Sequence, residues 1–195
     1  MAKQIVIIQG HPDSGENHFC HALAKAYAEG AESAGHKVKI IDVAQIEFPL
    51  IRSKQEFDQG EPPESIRNAQ QMIQSAEHLV IFYPLWLGTM PAYFKAFLEQ
   101  VFRPGFAASE SAKGMPWKKL LTGKSARIVI TMGMPAFIYR WYFLAHSLRS
   151  LERNILGWSG IGPVKDTLIG MIDALDDTER KKWLSKMQRF GSEGN

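Results

Sequence analysis

The sequence predicts one doubly wound α/β domain, a parallel five-stranded sheet with helices on both faces, arranged as a three-layer sandwich. Three observations carry that reading. Five short runs rich in β-branched and other apolar residues recur along the 195 residues, helical periods separate them, and glycine or proline punctuates their ends. Strands that alternate with helices of this length form a parallel sheet joined by right-handed crossovers. A strand covered on both faces reads as a continuous apolar run.

Each element follows in order. Residues 3–9 form the first strand and end at Gly10. Residues 17–32 have helical spacing, with Phe19, Leu23, Ala26 and Tyr27 on one face and Gly35 as a C-terminal stop. Residues 37–42 are the second strand, and residues 44–63 have no clear period and read as a loop. Residues 64–76 are a helix that begins just after a proline pair. Residues 78–83 are the third strand, stopped by Pro84. Residues 91–102 are a helix whose apolar face includes Phe94, Phe97, Leu98 and Val101. Residues 125–132 make the fourth strand, ending at Gly133, and residues 136–156 an unusually aromatic helix. A fifth strand fits 162–169, and the closing helix fits 177–190 with Asp177 and Thr178 as caps. No linker or internal repeat divides the chain, so residues 1–195 read as a single domain.

Composition narrows the function. The 23 basic and 20 acidic residues leave a net charge of +3, too small and too scattered to mark a nucleic-acid surface. A lone cysteine, Cys20, allows no intrachain disulfide, which fits a reducing, cytoplasmic setting. Only four apolar residues, Ile5 to Ile8, follow the N-terminus, short of the roughly 7–15 of a secretory signal core. The longest uncharged apolar stretch, 79–94, is broken by Pro84, Gly88 and Pro91 and is shorter than the roughly 20 residues of a membrane span, so no transmembrane segment is expected.

Several chemical signatures fail. Gly123-Lys124-Ser125 lacks the glycine that a phosphate loop needs five residues earlier, and Gly157-Trp158-Ser159-Gly160-Ile161 misses the hydrolase elbow. There is no G-x-G-x-x-G. His11, His18, Cys20 and His21 lie close in sequence, but without carboxylate-bearing metal spacing, and no metal is expected.

Open α/β sheets bind ligands outside the carboxyl ends of their strands, where strand order reverses. That rule selects three loops: 10–16, 84–90 and 133–138. In the first, small residues let backbone amides approach an anion at a helix N-terminus, and Ser14, Asn17 and His18 are donors. The second sets Leu85, Trp86 and Leu87 between two prolines after the strand has ended, giving an apolar wall with edge amides suited to a planar heteroaromatic ligand.

Pro84-Leu85-Trp86-Leu87-Gly88-Thr89-Met90-Pro91-Ala92, with Phe94-Lys95-Ala96-Phe97, resembles the flavodoxin-like NAD(P)H:quinone oxidoreductase family of the flavodoxin-2 type. Gly10-His11-Pro12 with Ser14 and Asn17 resembles that family's flavin-phosphate loop. The likeness continues through Gly105-Phe106-Ala107, Leu121-Thr122-Gly123-Lys124, Thr131-Met132-Gly133-Met134-Pro135, Tyr139-Arg140 and Asn154-Ile155-Leu156-Gly157. Leu87 stands where the family often has a second tryptophan, Thr89 where it has glycine, and Met132 and Met134 fall in its Thr-Thr-Gly-Gly stretch. These departures imply a differently shaped substrate pocket.

The resemblance implies a flavodoxin-like fold and hydride transfer from NADPH or NADH through a bound flavin, FMN or alternatively FAD, to a quinone, azo or nitroaromatic acceptor. His11, Ser14, Asn17, His18 and Phe19 are then placed around the phosphate and ribityl chain. Pro84, Leu85, Trp86, Leu87 and Gly88 border the ring, and Thr131, Gly133 and Met134 close its other edge. Tyr139 matches the family's tyrosine, and His146 its histidine with a shift in spacing, as candidate catalytic groups. Related members imply a homodimer, and the alternative role of a flavin-binding electron carrier or regulatory subunit. The aromatic faces of residues 136–144 also favour a homodimer.

Overall fold

A computed structural model describes residues 1–15, 18–109 and 117–195. In chain order the elements are β1 (Gln4–Gln9), α1 (Phe19–Ser33), β2 (Lys37–Asp42), a 3-10 turn (Val43–Gln45), α2 (Lys54–Gln59), α3 (Glu64–Ser75), β3 (His78–Pro84), α4 (Ala92–Val101), β4 (Ala108–Ser109), β5 (Lys118–Lys119), β6 (Ser125–Thr131), α5 (Ala136–Trp141), α6 (His146–Ser150), a π turn (Leu151–Leu156), α7 (Gly157–Ser159), β7 (Val164–Ile169) and α8 (Asp177–Ser192). The main sheet is parallel throughout, in the order β2-β1-β3-β6-β7. The chain runs outward from β1 to β2, then returns across β1 to β3. The loops that leave β1 and β3 therefore part company, and a crevice opens between them.

Side-chain alternation on the strands builds two cores. Val6, Ile8, Leu79, Ile81, Ile128 and Ile130 face one layer, where Ile66, Phe94, Phe97 and Leu151 cover them. Ile5, Ile7, Val80, Phe82 and Val129 face the other, under Leu23 and Tyr27 of α1 and Met187 of α8.

The structure corrects the expected elements in five places. Pro84 is the last residue of β3, paired with Thr131, and not the residue after it. Within the expected loop, Ser53 caps α2 by accepting from the Glu56 amide, and Arg103 holds the far end through the carbonyls of Glu56 and Gly60. The short antiparallel pair β4–β5 was not expected at all. The cap of α8 is Asp176, not Asp177 or Thr178, in a reciprocal box with Glu179. Finally, the expected helix over 136–156 breaks at Leu144 and Ala145, both left-handed, because the Ala145 amide turns back to the Tyr139 carbonyl at 2.9 Å.

One buried group makes stability depend on pH. His78 opens β3 with Nδ1 on Ser125 Oγ at 2.7 Å and Nε2 buried without a partner among the described residues. Burial first, then the charges of Lys3, Arg127 and Lys165, push its pKa from 6.5 down to about 4. The unfolded chain takes up the proton at higher pH than the fold does. Stability is therefore full above about pH 6.5 and is lost as pH falls from there towards 4, by about 3 kcal/mol. Urea unfolding at about pH 7 and about pH 4.5 should show that loss in the wild type and much less of it in His78→Asn.

Candidate functional site

The first side of the crevice is built by the turn after β1. Gln9, at the end of an otherwise apolar strand, is a buried bracket: its Nε2 donates to the Cys20 carbonyl at 3.2 Å, and its Oε1 accepts from the His11 amide at 3.2 Å. Gly10 lies so close to α4 that a Cβ there would meet the Phe94 ring at 2.8 Å. His11 is buried, and its Nδ1 accepts from the Asp13 amide at 3.2 Å. Burial and the neighbouring His18 lower its pKa, which favours the neutral ring at neutral pH. His18 stacks on it at 4.0 Å and donates to Asp13 Oδ2 at 2.7 Å. The Gly15 amide donates to the other oxygen of Asp13, and this bond is the main cause of the lowered carboxyl pKa. Among the described residues, the N-terminus of α1 has neither a capping side chain nor an acidic residue in its first turn.

The expected phosphate-loop residues thus fall in different settings. His11 and His18 come together, Ser14 is exposed, and Phe19 is half-buried against the α1–α8 core. Asn17 lies outside the described residues. Gln9 and His21 were missed as site residues. His21 Nε2 is buried without a partner among the described residues, edge-on to His11 at 5.2 Å. The only sequence signal for Gln9 was a polar residue where an apolar strand ends.

The second side is the turn after β3. The Leu85 amide donates to the Thr131 carbonyl at 2.8 Å and locks this turn to the end of β6. Trp86 and Thr89 exchange amide-to-carbonyl bonds of 2.8 and 3.0 Å across Leu87 and Gly88. Both central residues have positive φ, 47° and 80°, the geometry of a tight hairpin turn that glycine enters freely and leucine does not. Leu87 is fully exposed at the tip, and Trp86 is 47% exposed, with its ring edge-on to His11 at 5.9 Å. Trp86 therefore stands outside the core and joins the two loops. Pro84 is buried and Leu85 half-buried beneath it. Among the described residues, the amides of Leu87, Gly88, Gly133 and Met134 have no protein acceptor.

The third side comes from β6 onward. Thr131 is buried, Gly133 is exposed and Met134 is half-buried, its carbonyl accepting from the Met171 amide at 3.2 Å. His146 reaches the hairpin: a Cβ at Gly88 would lie 3.8 Å from its Cε1 and Nε2. Its Nδ1 donates to the Phe143 carbonyl at 2.9 Å, which leaves Nε2 as the acceptor of the neutral ring. Tyr139 does not face the crevice. It is fully buried, with its hydroxyl 2.6 Å from Ser147 Oγ and accepting from the Leu148 amide at 3.0 Å. Its hydroxyl is engaged with both residues inside the core, so Tyr139 supports the turn that carries His146 and is not exposed at the crevice.

A protein family described as having a flavodoxin-like fold matches residues 3–190. The chain belongs to this flavodoxin-like family. It is 30% identical over 181 residues to a relative named "Uncharacterized NAD(P)H oxidoreductase" in Haemophilus influenzae, with 90% of this chain and 88% of the relative covered. The solved NAD(P)H:quinone oxidoreductase from Methanothermobacter marburgensis has the same fold, with a TM-score of 0.80 at 23% identity over 98% of this chain and 96% of that one. An FMN-dependent NADH-azoreductase from Bacillus anthracis, solved in complex with FMN, superposes with a TM-score of 0.77 at 16% identity, covering 99% of both chains. Within the flavodoxin-like family, the crevice described above lies at the reversal point of strand order that the fold reserves for ligands.

Proposed function

We propose that this protein is a flavin-dependent NAD(P)H oxidoreductase of the quinone-reductase kind, with the flavin held in the crevice between the β1 and β3 turns. One observation carries the reading: the imidazoles at the open N-terminus of α1 and the tight Trp86–Thr89 hairpin meet through the His11–Trp86 contact. The residues fit the group. The first turn of α1 carries no acid, which suits a phosphate, and His11 and His18 add ring nitrogens beside it, with His18 held by Asp13. Trp86 gives an apolar wall, and the acceptor-free amides of Leu87, Gly88, Gly133 and Met134 suit the carbonyl edge of a heteroaromatic ring. A phosphate beside the α1 N-terminus suits FMN, the flavin bound in the solved azoreductase of the same fold.

When bound, the flavin supplies hydride acceptance from the nicotinamide and delivery to the acceptor. The chain's own residues do the rest. The acceptor-free amides of Leu87, Gly88, Gly133 and Met134 would stabilise negative charge on a ring edge held beside them. His146, held by Phe143, presents Nε2 near Gly88, where it is placed to hold or pass a proton to a bound acceptor. Leu87 and Leu144 are exposed on the turns that carry Gly88 and His146, and a second copy of the chain set against them would wall the open side of the crevice. We place the expected homodimer contact there.

The test is steady-state turnover. FMN-reconstituted protein should oxidise NADPH or NADH only when a quinone or an azo compound is added beyond the slow background with oxygen. His146→Ala should lower turnover by about 10²–10⁴-fold if it carries the proton, while leaving flavin content unchanged. Flavin-loaded protein with no acceptor-dependent turnover would remove the enzymatic reading.

A further inference from the structure

We propose that the groove between α5 and α8, with its basic rim, docks this protein on an anionic phospholipid surface. Phe137, Trp141 and Tyr142 are 66%, 74% and 79% exposed, although each is large and apolar or amphipathic. Phe137 and Trp141 form one wall of an open groove of about 440 Å³, and Trp183 and Lys186 of α8 line the other. Lys186 also belongs to the outer surface of α8 that Lys181 and Lys182 share. From Arg180 to Ser192 the chain holds five cations and no acid. Two are engaged: Arg180 donates to the carbonyls of Leu175 and Ile172, and Arg189 pairs with Glu193 at 3.8 Å. Lys181, Lys182 and Lys186 have no acidic partner among the described residues, and the nearby Asp166 is taken by Arg140.

The occupant follows from the layering. Aromatic side chains crowd one knuckle; Lys186 lies over the Trp183 ring at 4.5 Å, and Lys181 and Lys182 precede that ring on α8 without an acidic partner among the described residues. A bilayer presents the matching order: an interfacial zone that takes tryptophan and tyrosine, edged by phosphates that attract lysine. A second copy seated symmetrically here would bring like charges together, since an isologous contact sets the same patch against itself. The surface shares Phe137 with the 133–138 loop but none of the residues placed around the flavin, so the inference stands apart from the flavin reading.

The experiment is co-sedimentation of the purified protein with vesicles of phosphatidylcholine alone or mixed with phosphatidylglycerol. Binding should appear on the mixed vesicles only and weaken as salt shortens the screening length. Lys181→Gln with Lys182→Gln and Lys186→Gln should lower partitioning on the order of a hundredfold, since each lysine near an anionic surface contributes about fivefold. Phe137→Ser with Trp141→Ser should lower it by about tenfold or more, with thermal unfolding and size by light scattering unchanged in both variants. Absence of wild-type binding to mixed vesicles would overturn the proposal, as would equal binding by the triple lysine variant. So would a dimer that the Phe137/Trp141 variant splits into monomers, which would make this face a contact between copies. Retention on RNA by a protein that ignores vesicles would also overturn it.

Discussion

Trp86→Ala is expected to lower flavin affinity by about tenfold or more, at least 1.4 kcal/mol, while the flavin-free protein unfolds at nearly the wild-type temperature. Truncating a large aromatic in a packed core costs about 3–5 kcal/mol. Trp86 is not in that position: nearly half of it is exposed, and its ring meets His11 edge-on above the end of β3. The hairpin below is held by backbone bonds between residues 86 and 89, which alanine keeps. The loss should therefore fall on the ligand and not on the fold. Thermal unfolding without flavin and a fluorescence titration with FMN, on the same variant, separate the two. A large stability loss with unchanged affinity would make Trp86 a structural residue and move the ring-binding wall elsewhere.

Gly30→Ala should produce the largest stability loss of any single methyl addition in α1. Inside an ordinary helix this change gains about 1 kcal/mol of propensity. Here the Cβ would lie 2.0 Å from the Gln188 carbonyl oxygen of α8. The reciprocal contact is as close, with a Cβ on Gly191 falling 2.1 Å from the Tyr27 carbonyl oxygen. Backbone cannot rotate aside as a side chain can, so the two helices must separate along their whole contact. Overpacking costs about 1–3 kcal/mol and occasionally more; at this distance the upper end applies, and the net loss is about 2 kcal/mol. For a chain of this size that is a fall of about 4–8 °C in melting temperature, measurable by calorimetry. Flavin binding should weaken with it, because α1 carries at its other end the residues proposed to lie beside the phosphate.

The sheet was readable from sequence because each central strand is buried on both faces and must be apolar throughout. The order of strands and helices then fixed which loops border the crevice, and proline and glycine marked their ends. What stayed hidden depended on contacts far apart in sequence. Nothing local announces that Leu144 and Ala145 are left-handed; the break exists because Tyr139 collects the Ala145 and Leu148 amides and its hydroxyl shares a hydrogen bond with Ser147. For the same reason the likeness to a family tyrosine pointed to a catalytic role for Tyr139 that its burial does not support. Gln9 is a similar case: a polar residue at a strand end has many possible partners, and only the fold selects the Cys20 carbonyl and the His11 amide. His11, Trp86, Gly88 and His146 were singled out from sequence and lie around one crevice, but the turn that brings Gly88 to His146 was not legible.

The β1 and β3 turns together are proposed to hold one flavin per chain. Equilibrium dialysis of the flavin-free protein against FMN, with the bound flavin released and identified by mass, tests it most directly. Saturation is expected at about one FMN per chain, and is expected to be lost or shifted to much higher concentration in Trp86→Ala. Failure to retain FMN or FAD at any concentration, or retention that Trp86→Ala leaves unchanged, would contradict it.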